Sequence, residues 1–288
     1  MIVIGMHRSG TTLLCRLLDE LGVFMGKRLD WNHESIFFKR LNEWLIRQSS
    51  GGREHAEPVR ALLANDELCV LALDYWRRSI LSPRLAGYLG AAGYLRHRKP
   101  ARFVGPWGWK DPCNSYTAGL WRQLFPEAKI IHVRRHGVDV AASLESRNTW
   151  MFDKAKNKYE RRRWLYAFRA RRGGFANVRW ADFDGGMDTW VEYVGAAEQQ
   201  TEAAGKCGLS LRYEDLLARP HEVLADVVRF CGIKIEDDRL AQVSSMIRPS
   251  RAMAFVNDER LRRMARKYAD VLARFGYTPD NESADPPA

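Results

Sequence analysis

Nowhere in the 288 residues do two cysteines stand as a C-x-x-C pair. The five present, Cys15, Cys69, Cys113, Cys207 and Cys231, are scattered along the chain. That spacing argues against a disulfide framework and a thiolate zinc site, and it fits a reducing compartment, so a cytoplasmic protein is expected. No apolar run approaches the length of a membrane span. The first residues pass directly into a strand-like run with no basic segment before it, so no signal peptide is expected. Internal repeats and long low-complexity segments are also lacking. Carboxylates are scarce relative to cations: 35 Asp and Glu against 46 Lys and Arg, a formal net charge of +11. Such an excess suits a nucleic-acid binder or an enzyme handling small anions. It is concentrated in KAKNKYERRRWLYAFRARR, Lys154 to Arg172. Charges and apolar residues interleave there as on an amphipathic helix. The segment reads either as a solvated face or as a collar that attracts an anionic ligand.

What is present is an alternation of strands and helices. A strand is predicted at Ile2–Gly5, then a helix from about Thr11 to Leu21 and another over Ser35–Arg47. Further strands are predicted at 102–112, 128–135 and 209–213. Helices follow from near Gly137, over Pro220–Cys231 and over Asp258–Phe275. The alternation predicts an α/β fold, a P-loop-type parallel β-sheet flanked by helices. The expected organisation is one domain over 1–276, with helical insertions at about 51–100 and 150–205. A tail over 277–288 has the composition of disorder. In parallel sheets ligands bind at the carboxyl ends of the strands, and each motif of interest lies just after a strand.

The first such motif is GMHRSGTT, Gly5 to Thr12. It resembles the phosphate-binding loop G-x-x-x-x-G-K-[ST], except that Thr11 stands where the lysine belongs. Loop amides and the helix N-terminus together form an anion site. The alternative is an ordinary strand-to-helix turn. In nucleoside triphosphatases the lysine reaches the β and γ phosphates, so its loss argues against ATP or GTP chemistry. Here the cation lies upstream, at Arg8. Arg8, Thr11, Thr12 and backbone amides suggest a single 5′-phosphate with a group attached.

At this point the sequence resembles the sulfotransferases that use 3′-phosphoadenylyl sulfate (PAPS). Their 5′-phosphosulfate loop is similar to Arg8-Ser9-Gly10-Thr11-Thr12. Their 3′-phosphate signature, a strand-end Arg and a Ser eight positions on, selects Arg135 and Ser143 in IIHVRRHGVDVAASL. LRYEDLLARPHEVLADVVRFCGI resembles a third segment, in which Tyr213 would contact the adenine. The resemblance covers residues 5 to about 232, and segments 51–100 and 150–205 match nothing. A strand-end guanidinium suits bidentate phosphate binding. Ser143 has a packing alternative, and Arg134 is read as an ion-pair partner or surface charge. Arg248, Ser250 and Arg251 in RPSR could form a further phosphate clamp or an exposed basic turn.

The resemblance implies sulfuryl transfer from PAPS to a hydroxyl or amine, with PAP as product and no metal. Arg8 and Lys110 would stabilise charge; the Lys110-Asp111-Pro112 strand end resembles the protein-tyrosine branch. Pro112 occupies the place of the histidine that serves as base in the small-molecule branch. Other branches use a glutamate after the first helix, which here selects Glu34. The alternative for Glu34 is a first-turn carboxylate favouring the dipole of helix 35–47. His33 is read as a capping or surface residue and His7 as structural. Leu13 stands where the family places an aromatic. The acceptor is open: carbohydrate, phenol, lipid alcohol, amine and peptidyl tyrosine are all compatible. Two other functions remain in view, a P-loop kinase or NTPase and a non-catalytic polyanion binder. No nucleic-acid motif is present.

Overall fold

The structure is a computed structural model that describes residues 1–98, 102–171, 173–247 and 253–279. Its strands are β1 (Ile2–Ile4), β2 (Trp109–Lys110), β3 (Ile130–Arg134) and β4 (Gly208–Arg212). Its helices are α1 (Thr11–Glu20), α2 (Ile36–Gln48), α3 (Val59–Leu63), α4 (Asp66–Ile80), α5 (Ala86–His97), α6 (Asn114–Leu124), α7 (Gly137–Arg162) and α8 (Phe183–Ala203). Then come α9 (Tyr213–Ala218), α10 (Pro220–Cys231), α11 (Asp237–Ser244), α12 (Glu259–Lys267) and α13 (Ala269–Ala273). This is the expected α/β class. The strand predicted over 102–112 contracts to β2, because the glycines and Pro106 before it resist strand pairing. The single helix predicted over Asp258–Phe275 is two, α12 and α13, separated at Tyr268.

Contacts divide the chain into two units: Met1–Arg135 with Glu192–Ala252, and His136–Val191 with Met253–Ala288. In the first, all four strands are parallel in the order β2-β1-β3-β4. Ile2 pairs with Trp109 on one side and Ile130 on the other, and Ile130 pairs with Gly208. The three residues of β1 are fully buried, as a parallel strand covered on both faces requires. One apolar cluster joins Val3, Ile131, Val133 and Leu211 of the sheet to Leu14 and Leu18 of α1, Leu224 and Val227 of α10 and Val243 of α11.

A second cluster is aromatic. Phe38 stacks on Trp109 at 4.0 Å between ring centroids, Trp76 stacks on Trp121 at 3.8 Å, and Tyr88 meets Phe38 edge-on at 5.0 Å. Trp76 and Tyr88 come from residues 51–100, so that segment supplies core to the unit that holds the sheet.

The second unit is helical. His136 stacks on Phe255 at 4.2 Å, Trp190 meets Phe275 edge-on at 4.9 Å, and Asp139 accepts a hydrogen bond from the Phe255 amide. Arg260 pairs with Glu145 at 2.7 Å and Lys267 with Asp184 at 2.8 Å on its exterior. Arg248, Ser250 and Arg251 lie outside the described residues. Among the described residues no helix is long and apolar enough to cross a membrane.

Candidate active site

The carboxyl ends of the four strands hold the residues that matter. β1 runs into the loop Gly5–Gly10, which must turn sharply before α1. Gly5 has φ +136°, and a side chain there would meet the Val133 carbonyl at 2.3 Å. Gly10, at φ +95°, is the N-cap of α1 and offers no side-chain acceptor to the helix amides. The first turn of α1 carries no acid. An N-terminus so built presents N–H groups and positive dipole to an anion. Ser9 is buried and donates to the Met6 carbonyl at 2.7 Å, which closes the turn from within. The buried Ser115 hydroxyl accepts from the Gly5 amide at 3.2 Å. Arg8 stands exposed at the crest with left-handed backbone, φ +69°.

β3 and β4 deliver two residues to the same loop. The Arg135 guanidinium lies 4.9 Å over the Tyr213 ring and donates to the Arg8 carbonyl at 3.3 Å. Tyr213 in turn covers Gly10: a Cβ there would sit 2.1 Å from the Tyr213 ring. A cation–π contact of this kind holds the guanidinium plane. Arg8, Gly10, Arg135 and Tyr213 are thus brought together. Ser143, half-buried on the second turn of α7, belongs to the other unit. Arg134 pairs with Glu198 at 3.4 Å, the ion-pair role expected for it.

The carboxyl end of β2 is a charge cluster. Lys110, 2 % exposed, donates from Nζ to Glu34 Oε1 at 3.2 Å and reaches Thr12 Oγ1 at 3.5 Å. Thr12 itself donates to the Asn32 carbonyl at 3.0 Å. Glu34 is buried, and its second oxygen meets Lys39 Nζ at 2.8 Å and Arg53 Nη2 at 2.9 Å. Burial pushes the Glu34 carboxyl up, but Lys110, Arg53 and Lys39 together outweigh it and hold the pKa down at about 2. Glu34 is therefore a carboxylate at neutral pH. Glu34 lies one residue before the N-cap Ser35 of α2 rather than in its first turn.

The turn that aims Glu34 is built on Asp30. Its Oδ1 accepts the amides of Asn32 (2.9 Å) and Glu34 (3.0 Å), while Oδ2 takes Lys39 Nζ at 2.6 Å. His33 points elsewhere, 3.4 Å from Asp19. His7 meets the Tyr193 ring edge-on at 5.7 Å, a packing role. Asp111 is fully buried and pairs with Arg53 Nη2 at 3.2 Å. It also accepts from Asn42 Nδ2 at 3.0 Å and the Cys113 amide at 3.1 Å. Burial raises its pKa, with Arg53 opposing.

Arg53, Lys39, Asp30 and Asn42 escape sequence reasoning. Arg53 bridges Glu34 and Asp111 and also reaches Glu43 at 3.3 Å, from a turn with no recognisable motif. Asn42 carried a weak signal: it is a polar residue on the buried face of α2, where it accepts from Trp121 Nε1 and Thr117 Oγ1 at 2.8 and 2.9 Å. Among the described residues no group of His, Cys, Asp and Glu could hold a metal ion.

Comparison with known proteins follows this geometry. An uncharacterized protein of Aquifex aeolicus (strain VF5) is 26% identical over 245 residues, which is 82% of this chain. The chain spans about a quarter of that relative's length, 26%. Two solved structures are similar: the sulfotransferase domain from the curacin biosynthetic pathway and sulfotransferase STF9 from Mycobacterium avium. The first has a TM-score of 0.43 and 15% identity, covering 84% of this chain and 76% of its own. The second has a TM-score of 0.44 and 15% identity, covering 94% of this chain and 76% of its own. The description "Sulfotransferase family" matches residues 1–237. With residues 1–237 of its 288 matched, the chain belongs to the sulfotransferase family.

Proposed function

We propose that the protein transfers the sulfuryl group of PAPS to a hydroxyl or amine of an acceptor. One observation carries the reading. Lys110 Nζ stands 3.2 Å from Glu34 and 3.5 Å from Thr12, so the anion loop, a buried cation and an ionised carboxylate share one place. The residues fit an adenosine 3′,5′-bisphosphate better than a triphosphate. The loop has no lysine at Thr11, while a second anion-binding group, Arg135, stands at the neighbouring strand end. Arg8, Ser9, Gly10, Thr11 and Thr12 hold the 5′-phosphosulfate through loop amides, hydroxyls and the guanidinium. Arg135 takes the 3′-phosphate, and Tyr213 packs against the adenine. The family resemblance adds Ser143 to the 3′-phosphate on sequence grounds.

Sulfuryl transfer needs an in-line nucleophile, a place for developing charge and a proton acceptor. As the acceptor heteroatom bonds to sulfur, the bond from sulfur to the 5′-phosphate oxygen breaks and PAP leaves. Lys110 and Arg8 neutralise charge on the transferring group and the departing oxygen. Glu34 takes the acceptor proton. Its low pKa makes it a weak base, so it accepts only when bond formation to sulfur has acidified the hydroxyl. Lys39 and Arg53 keep its second oxygen occupied, so the proton goes to Oε1, whose partner Lys110 turns to the transferring group.

Calorimetric titration with PAP and with ATP tests the donor. PAP is expected to bind at least about tenfold more tightly, one strong phosphate contact's worth. Equal or tighter binding of ATP favours a P-loop kinase or NTPase and overturns the reading. Labelled PAPS screened against carbohydrates, phenols, lipid alcohols, amines and tyrosyl peptides identifies the acceptor.

A further inference from the structure

The basic segment after residue 150 plays no part in the chemistry above, and its shape is specific. The last buried residue of α7 is Asn148; from Thr149 to Arg162 none is buried, so the helix runs on exposed for on the order of 20 Å. The chain then turns through a tight 3₁₀ segment, Arg163–Ala167, and comes back. The two arms are tied together. Tyr159 stacks on Tyr166 at 5.5 Å and meets Phe175 edge-on at 5.4 Å, and the Asn177 amide donates to Asn148 Oδ1 at 2.9 Å. This is a hairpin with an ordered seam.

Its tip is apolar and its arms are cationic. Trp164 is 66 % exposed and Phe168 84 % exposed, with Leu165 half-buried between them. Arg161, Arg162 and Arg163 precede the tip and Arg169 and Arg171 follow it; Glu160 is the one carboxylate from 160 to 171. Along the helical arm a groove of about 550 Å³ lies beside Trp150, Lys154, Lys158 and Arg161.

We propose that this hairpin docks the protein on a lipid bilayer bearing anionic headgroups. Trp164, Leu165 and Phe168 enter the interfacial layer while the flanking arginines, with long apolar stems and charged ends, meet the headgroup phosphates. Charge complementarity sets the partner's sign, and the exposed apolar side chains beside the cations, at the tip and again at Trp150, Met151 and Phe152 on the helical arm, set its kind. A single-stranded nucleic acid needs ring faces open along a basic groove. The groove here carries a single ring, Trp150, with Lys154 Nζ 4.8 Å over it, while Tyr159 and Tyr166 cover each other and Arg171 lies 3.6 Å over Phe175.

The test is co-sedimentation of the full chain with vesicles of phosphatidylcholine alone and of phosphatidylcholine with phosphatidylglycerol. Binding is expected to the anionic vesicles only and to weaken with salt. Arg161, Arg162 and Arg163 replaced together by alanine are expected to lower partitioning by about a hundredfold. Trp164→Ser with Phe168→Ser is expected to lower it by about tenfold or more. Both variants change exposed residues, and an unchanged thermal melt confirms that they fold. The proposal is overturned by absence of binding to anionic vesicles. Undiminished binding of the tip variant, or tighter binding to a single-stranded oligonucleotide than to vesicles, overturns it as well.

Discussion

The Gly5–Thr12 loop and the Lys110–Glu34 cluster meet at Thr12, yet they are made by different means. The loop is one unbroken stretch, Gly5 to Thr12, and the polar groups it presents are main-chain amides fixed by two glycines and a left-handed Arg8. The cluster is assembled from four separate parts of the chain: Asp30 and Glu34, Lys39 and Asn42, Arg53, and Lys110 with Asp111. Its groups are side chains, with the charged Glu34, Lys110 and Asp111 buried out of water. An amide array keeps its polarity whatever the side chains do. A buried carboxylate is stable only while its counter-charges stay in place. Side-chain substitutions should therefore unfold the cluster and merely disarm the loop.

The largest effect is expected from Arg53→Ala, which takes one guanidinium from both Glu34 and Asp111. Breaking a buried pair by removing one partner costs about 3–5 kcal/mol. Urea denaturation monitored by circular dichroism measures it, and Arg53→Lys should recover part of the loss. A change below about 1 kcal/mol would mean that Lys39 and Lys110 suffice, and that the cluster is no more fragile than a surface pair.

Acid should reveal the same contrast at a slightly smaller scale. Glu34 is held at about 2, below its ordinary 4.5. Its contribution is fully present above pH 4.5 and is lost as pH falls toward 2, about 3 kcal/mol in all. Asp111 has the opposite sign, since burial raises its pKa and protonation relieves it. His132 adds a separate window in the sheet. Burial, aided by Arg134, lowers it to about 3 from 6.5, so stability falls as pH drops from 6.5 toward 3. Comparing pH-dependent urea midpoints separates the three. Glu34→Gln should flatten the range between 4.5 and 2, and His132→Leu the range beginning at 6.5. An unaltered profile in Glu34→Gln would show that the carboxylate is not held by its cations.

The same division explains what could be read from the sequence. β1, the loop and α1 were legible because a glycine-spaced turn between an apolar run and an amphipathic helix is a local pattern. Arg135 and Tyr213 follow predicted strands, but it is the family resemblance that picks them out from their neighbours. Lys110 and Glu34 could be singled out only through the family resemblance, and nothing local said that they touch. Arg53 could not be found at all. Its partners are 19 and 58 positions away (53 − 34 and 111 − 53), and its turn has no periodicity to read. Where residues 51–100 pack could not be read for a related reason. Trp76 and Tyr88 pack onto Trp121 and Phe38, far along the chain, and helical spacing does not name the partner.

A smaller loss of stability is expected from Gly10→Ala. A Cβ at φ +95° is strained and would overlap the Tyr213 ring, a cost of about 1–3 kcal/mol. Because the ring must move, PAP affinity should fall as well, and melting with and without PAP reads both effects. A variant that melts normally and binds PAP normally would show that Tyr213 does not need to cover the loop.

The smallest change in stability, and the sharpest separation of the two regions, is expected from Arg8→Ala. Arg8 is exposed at the crest of the loop, where the carbonyl that accepts from Arg135 belongs to the backbone and survives the substitution. Stability should therefore stay within about 0.5 kcal/mol of the parent, the usual range for a surface position. Turnover of PAPS should nevertheless fall by about 10²–10³, as when one charge-stabilising group is removed from a reacting centre. The loop amides and Arg135 remain, so PAP binding should weaken far less than turnover. If stability and turnover instead fell together, Arg8 would be a structural member like Arg53, and the amides would not hold the loop's shape by themselves. If turnover were unchanged, charge on the transferring group would rest on Lys110 alone, and the cluster rather than the loop would carry both the cation and the base.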